Sequence, residues 1–429
     1  MRVAWFAPLP PVRSGVVAVN AALLPHLDAE LEIDRFVDAP AIASARLFNA
    51  HDFVWKMRRR SYDLVVYQLG NAACHDYMWA YLAAYPGLVV LHDPRLHHAR
   101  ARQLLQAGRG DDYRREFWYD HPDAVRDFVE YAVAGLGGTI YYSWPMLRVV
   151  MRTARAVAVH NARVAADLRE EFPGARIETI RLGTPRLAVS ADARVRIRKA
   201  LGVADGATLF AMFGKITAEK RIDPILDAFA ALVSAGADAH LLMAGDASAI
   251  PELADRVRAS NTASRVHVTG YLDDGAIGDY LAAADACLCL RWPTALETSA
   301  SWLQCLSASR PTVISDLAHL VDIPASVCLR VDLLDEAASL LTAMRMLARD
   351  DGERARLAAA GHAYWAANHA IEAMASDYRR LIPLAAALPA PVVDDLPVHF
   401  VDDYGSRARE IASTFDVAVD VLEDGSRSG

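Results

Sequence analysis

Arg291-Trp-Pro-Thr-Ala-Leu-Glu-Thr-Ser299, running on to Arg310-Pro-Thr-Val-Ile-Ser-Asp316, holds a loop, a helix start and a second strand in sequence. It begins where the buried-looking run Ala286–Leu290 ends, and it places one carboxylate, Glu297, on the loop. Thr298 and Ser299 open a helix, and the apolar run Thr312–Ser315 follows. Strand, helix and strand in that order specify a parallel sheet covered by helices. A helix start has free backbone N–H groups and the positive end of the dipole, so the segment Thr298–Ala300 is suited to a phosphate. Glu297 beside it is suited to sugar hydroxyls. Together they point to a nucleotide-sugar site.

The same pattern extends in both directions. Upstream, strands are expected at Val3–Ala7, Leu31–Phe36, Leu64–Gln68, Leu88–Leu91, Ala156–His160 and Ile177–Ile180. A second series follows at Leu209–Phe213, Ala239–Ala244, Val266–Thr269, Ala286–Leu290, Thr312–Ser315 and Val327–Val331, with a helix at Asp223–Ala235. The chain therefore reads as α/β, with two Rossmann-like units joined around Arg181–Ala191. The expected division is an N-terminal acceptor-side domain over 1–185, a C-terminal nucleotide-sugar domain over 186–370, and a helix and tail over 371–429 that pack back on the first domain. A helix is expected over Asp351–Leu384, and disorder at 424–429. Between His92 and Met151 lies a mostly helical insertion rich in aromatics, among them Tyr113, Phe117, Trp118, Tyr141, Tyr142 and Trp144. Helical packing accounts for them, and their place after a strand end also suits an acceptor wall.

Composition narrows the class. A chain of 429 residues exceeds one ordinary core, and 54% apolar with 23% charged residues is globular. A net charge of −8 gives no general attraction to nucleic acid. The five cysteines are scattered and read as buried apolar residues of a reducing compartment. The first residues lack a signal-peptide pattern and read as a strand, so the expected location is cytoplasmic. The cluster Lys56, Arg58, Arg59 and Arg60, beside Phe53 and Trp55, reads first as a solvated helix end. It also admits weak peripheral association with the inner face of an anionic membrane.

Candidate site residues lie after strand ends, where parallel sheets place their ligands. The first loop, Pro8–Ala18, has one glycine, Gly15, and no G-x-G-x-x-G, so a dinucleotide cofactor is unsupported. His92 and Asp93 end a strand and face the cleft. A metal at His97 and His98 lacks a third ligand, so no metal is expected. Gly214, Lys215 and Lys220 follow the first strand of the second unit, where two cations can neutralise a departing diphosphate in place of a divalent ion. Gly270, Tyr271 and Leu272 are placed to line a base pocket.

These pieces, in this order, resemble the retaining glycosyltransferases of family 4, the group 1 glycosyltransferases of GT-B fold. The resemblance runs from about Met1 to Leu384. It is carried by Gly214-Lys215…Glu219-Lys220-Arg-Ile-Asp223, Val268-Thr-Gly-Tyr271, and Arg291-x-Pro-Thr-x-x-Glu-Thr-Ser299…Arg310-Pro311. Tyr67-Gln-Leu-Gly-Asn71…His75 and Leu91-His-Asp93 are similar to a bacterial branch found in glycan assembly. The resemblance implies two Rossmann-like domains facing across a cleft. It implies metal-independent transfer of a sugar, from a UDP- or GDP-sugar, to a glycan, lipid-linked or small-molecule acceptor with retained configuration. By the same resemblance Lys215 and Lys220 would grip the diphosphate, Glu297 would contact the donor sugar, and Thr298, Ser299 and Ala300 would hold the distal phosphate. Gly15 would allow close approach, His92 would sit over the sugar, and Tyr271–Leu272 would meet the base.

The sequence departs from the family pattern in three places. The second glutamate, which binds the ribose, is replaced by Cys305, with Gln304 one step earlier as a weaker substitute. Leu296 and Ser309 stand where glycines are usual. These departures keep open a non-catalytic nucleotide-sugar-binding subunit. The architecture also admits a sugar-nucleotide epimerase or hydrolase, which would turn over donor without acceptor.

Overall fold

The structure is a computed structural model, and it describes residues 1–38 and 45–401. Two wholly parallel sheets organise these residues. The first has the order β3-β2-β1-β4-β5-β6-β7. Its strands are β1 (Arg2–Phe6), β2 (Glu32–Val37), β3 (Leu47–Asn49), β4 (Leu64–Leu69), β5 (Leu88–Leu91), β6 (Ala156–Val159) and β7 (Ile177–Thr179). The second has the order β10-β9-β8-β11-β12-β13. Its strands are β8 (Thr208–Phe213), β9 (Ala239–Ala244), β10 (Val266–Gly270), β11 (Ala286–Cys289), β12 (Thr312–Ser315) and β13 (Leu329–Val331). Every residue of β4, β5, β6 and β8 is buried. That is why these segments read as continuous apolar runs: helices cover both faces of each sheet. The expected α/β fold of two Rossmann-like domains is the observed one.

The insertion between β5 and β6 forms the helices His97–Leu105, Gly110–Asp120, Arg126–Val133 and Arg148–Thr153, with a short 3₁₀ turn at Thr139–Tyr142. Tyr113 and Phe117 are buried in a small core of their own, against which Trp118, Tyr141 and Trp144 pack. Packing therefore accounts for most of the aromatics. His97 has both ring nitrogens engaged, Nδ1 with the Trp144 carbonyl at 2.9 Å and Nε2 with the Tyr113 hydroxyl at 2.7 Å.

The chain crosses between the lobes twice, at one place. Thr184 and Ala370 pair as a parallel bridge. The Thr184 N–H donates to the His369 carbonyl at 2.9 Å, and His369 Nδ1 lies 2.8 Å from the Leu182 carbonyl. This junction corrects the expectation of one helix over Asp351–Leu384. The helix Asp351–Asn368 ends there, and a second helix, Ile371–Ala387, begins on the other side. The second helix packs against Gly15–Leu27 in the first lobe. Asp377 ties it to the first crossing through an ion pair with Arg181 at 2.8 Å. Residues 424–429, expected to be disordered, lie outside the described residues.

The helix Ala300–Ser307 joins β11 to β12 and ends in a Schellman motif. The Arg310 N–H donates to the Cys305 carbonyl at 2.9 Å and the Ser309 N–H to that of Leu306 at 3.0 Å. Ser309 is left-handed at φ 55°, and Leu296, at the other end of the motif, at φ 64°. Both departures from glycine thus fall at positions that favour it. They differ in compensation, because Leu296 packs against the first-lobe core and Ser309 belongs to no apolar cluster. Ser309→Gly should raise the unfolding free energy by about 1 kcal/mol, seen as a higher thermal midpoint. Leu296→Gly should lower it, because the packing lost outweighs the strain relieved.

Candidate active site

The C-terminal ends of both sets of strands meet between the lobes. Ser299 caps the helix Ala300–Ser307, its Oγ accepting from the Trp302 N–H at 3.3 Å. That leaves the N–H groups of Ala300 and Ser301 without an intrahelical acceptor. The hydroxyl of Thr298 is buried and has no hydrogen-bond partner among the described residues, an arrangement that a ligand oxygen would complete. Gly214, left-handed at φ 84°, brings its loop over this corner. A Cβ there would lie 3.1 Å from Lys220 Nζ and 3.8 Å from the Ser301 Cβ.

Lys220 is 9% exposed and its ammonium donates to the Phe213 carbonyl. Burial, and then the Arg291 guanidinium, push its pKa down to about 7. Lys215 is exposed on the same loop; the side chain beside the helix start is Lys220. Gly245 and Gly270 pair as a bridge behind them. Gly270 is left-handed at φ 73° and turns the chain into Tyr271 and Leu272. Tyr271 carries the Arg13 guanidinium over its ring at 4.1 Å.

Glu297 is held on both oxygens. Arg291 Nε lies 2.8 Å from Oε1, and the Thr294 hydroxyl donates to Oε2 at 2.8 Å. Arg291 is fixed in turn by its N–H, which donates to Ser315 Oγ at 2.9 Å. From the first lobe Asp93 faces this pair. Burial, and then Glu297, push its carboxyl up to about 6. Its Oδ2 accepts the Asn71 N–H at 2.6 Å. Asn71 also reaches the Arg95 carbonyl at 2.6 Å and the Ala99 N–H at 3.1 Å. Three more contacts hold the lobes together: Tyr142 OH to Glu219 Oε1 at 3.2 Å, Asn161 Nδ2 to the His319 carbonyl at 2.8 Å, and the Arg13–Tyr271 stack.

His92 is bound into the first lobe through both ring nitrogens. It is 8% exposed, with Nε2 2.8 Å from Gln68 and Nδ1 3.0 Å from His160 Nε2. His160 Nδ1 lies 2.9 Å from the Ile180 carbonyl, and Gln68 meets Tyr378 at 2.9 Å. A carbonyl only accepts, so His160 donates to Ile180 and His92 donates to His160. Burial pushes the His92 pKa well down, so its Nε2 is unprotonated and the Gln68 amide nitrogen must turn toward it. No ring nitrogen is left for a sugar, and Asp93 is the residue of this strand end that faces the second lobe.

The remaining expectations are placed as follows. Gly15 opens the helix Gly15–Leu27 and is exposed, with no atom within 4 Å of where a Cβ would stand. Cys305 is fully buried against the β11 face, whereas Gln304 is partly exposed. The position of the missing glutamate therefore faces the sheet. Arg291 was visible in the motif without a role, and Asp93 as a neighbour of His92. Tyr142 showed only as an aromatic of the insertion and Glu219 only as a letter of the motif, and Arg13 gave no signal; each acquires its meaning from a partner on the other lobe.

Known proteins share the fold. Residues 207–350 match the family described as Glycosyl transferases group 1. That match lies within the second lobe, and the fold of the whole is the GT-B fold. Alpha-D-kanosaminyltransferase from Streptomyces kanamyceticus is 26% identical over 176 residues, 40% of this chain and 45% of that protein. A GDP-mannose-dependent alpha-(1-6)-phosphatidylinositol dimannoside mannosyltransferase from Mycobacterium tuberculosis is 34% identical over 112 residues, 26% of this chain and 28% of that protein. The chain thus spans less than half the length of these curated relatives. HepE from Anabaena, solved with UDP-glucose, shares the fold at TM-score 0.63 and 14% identity, over 90% of this chain and 100% of its own.

The buried lysine makes a prediction independent of function. Its pKa falls from 10.5 unfolded to about 7 folded. Between those values the unfolded chain holds a proton that the folded chain has released, so this group's contribution to stability rises with pH across that window. Lys220→Met should therefore stabilise the protein most below pH 7, with the gain shrinking toward pH 10, as read from thermal midpoints at several pH values.

Proposed function

We propose that the chain is a retaining, metal-independent glycosyltransferase that moves a sugar from a UDP- or GDP-sugar to a hydroxyl acceptor. The observation that carries this reading is the corner formed by Lys220, the unpartnered Thr298 hydroxyl and the free N–H groups of Ala300 and Ser301, with Glu297 alongside. Negative charge growing on a departing diphosphate would be met there by an ammonium and a helix start, fixed before the reaction and shielded from water. The donor classes come from the relatives: one is GDP-mannose-dependent, and a protein of the same fold was solved with UDP-glucose.

In the mechanism, the acceptor hydroxyl attacks on the face that the diphosphate leaves, through an oxocarbenium-like state, and the donor phosphate takes its proton. Glu297 orients the sugar and Lys220 balances the leaving group. A metal is not part of this mechanism, because the cation and the helix start carry the charge. The acceptor would enter from the insertion side, past Tyr142, as a glycan, a lipid-linked glycan or a small molecule. No described helix is long and apolar enough to cross a membrane.

Lys220→Ala and Glu297→Ala should each lower kcat by about 10²–10³, the usual loss for one transition-state contact. Unchanged turnover in either variant would end the assignment. Gly15→Ala separates binding from folding. Its Cβ would meet no described atom within 4 Å beyond the adjoining backbone, so the thermal midpoint should hold or rise while donor affinity falls. Donor consumed without acceptor would favour a hydrolase or epimerase, and donor bound without turnover across a broad acceptor panel a binding subunit.

A further inference from the structure

A second cavity lies on the face of the first lobe turned away from the cleft. Its volume is about 630 Å³, within the range of small-ligand sites. It is lined by Met151, Arg152, Ala154 and Arg155, by Phe172–Arg176 and by the segment Leu388–Val393 that follows the last long helix. The first two stretches lead into β6 and β7 at their N-terminal ends. The cleft is built on the opposite ends of those strands, so this cavity is not part of the donor corner.

The charge of its lining is one-sided. Arg148, Arg152, Arg155 and Arg176 face a single acidic side chain, Glu171. Arg152 and Arg176 are paired outside the lining, with Asp395 at 2.9 Å and Glu178 at 2.6 Å. Arg148 and Arg155 make no ion pair with a described carboxylate. Arg148 donates to the backbone carbonyl of Asp120 at 3.1 Å and Arg155 to that of Ala386 at 3.2 Å. The Nε of each is buried with no hydrogen-bond partner. The other terminal nitrogen of each, Arg148 Nη1 and Arg155 Nη2, has no described acceptor, and a phosphate oxygen in the cavity can supply one. Burial and then the nearby Asp120 hold the Glu171 carboxyl above its usual range. The remaining wall is apolar and includes Met151, Phe172, Leu388 and three prolines, Pro173, Pro389 and Pro391.

We propose that this cavity binds a phosphate group carried on a partly apolar molecule, with Arg148 and Arg155 taking the phosphate and the wall of Leu388–Val393 taking the apolar part. The phosphate can come from a soluble ester or from the headgroup of a lipid surface, and the test separates the two. Calorimetric titration uses inorganic phosphate and a short-chain phosphatidic acid below its micelle concentration. Co-sedimentation uses vesicles of phosphatidylcholine with and without phosphatidylglycerol. Both are run on the wild type, Arg155→Gln, Arg148→Gln, and Arg59→Gln on the separate basic helix Asp52–Arg59.

Binding of a soluble probe, weakened about tenfold by Arg155→Gln as expected for one lost charge-assisted hydrogen bond, supports the site with a soluble ligand. Sedimentation only with the anionic vesicles, weakened by the same variant, supports it with a lipid headgroup. Arg59→Gln should change neither. If Arg155→Gln fails to fold, Arg148→Gln takes its place with the same expectation. Absence of binding to every probe, or equal weakening by Arg59→Gln and the cavity variants, would overturn the proposal.

Discussion

The ion pair of Arg291 with Glu297 is the interaction on which the closed arrangement of the lobes rests. Asp93 from one lobe and Glu297 from the other turn like charges toward each other in a site largely closed to water. Unopposed, that repulsion would favour an open cleft. Arg291 sits against Glu297 and acts on Asp93 in the attractive sense. Because the same guanidinium depresses Lys220, the site is already balanced before a ligand enters. A diphosphate that reaches Lys220 would upset the balance in its own favour by drawing the lysine back to its charged form.

Around that centre, much of the surrounding sequence acts as scaffold. Gln68, Gly70, Asn71, His75, His92 and Asp93, which read as a motif, form one knitted layer. Asn71 fixes Asp93, and His75 Nδ1 lies 2.7 Å from the Gln68 carbonyl. A Cβ on Gly70 would stand 3.0 Å from Asp93 Oδ2 and 3.3 Å from His75 Nε2. The histidine chain from Tyr378 to Ile180 runs beneath it and ends beside the interlobe crossing. The polar residues of this motif thus largely set the position of one carboxylate.

The parallel strands were legible because strands buried on both faces are written as plain apolar runs. β3 was missed because three residues at a sheet edge, all partly exposed, carry no such pattern. The break at His369–Ala370 was hidden for another reason. Helical periodicity continues through it, and only pairing with Thr184, nearly two hundred positions away, interrupts the helix. In the site, the Glu297 loop and the helix start were readable because their chemistry is local. The fate of His92 was not, since it depends on Gln68 and His160 arriving from two other strands. The departures at Leu296 and Ser309 were visible as letters, and their meaning came only with the φ angles.

The most direct measurement is a crystal structure of the protein soaked with UDP or GDP. The account predicts a diphosphate between the lobes, its terminal phosphate within hydrogen-bond distance of the Ala300 and Ser301 N–H groups and of Lys220 Nζ, and the base beside Tyr271. A nucleotide bound elsewhere, or a cleft empty at saturating concentration, would contradict it.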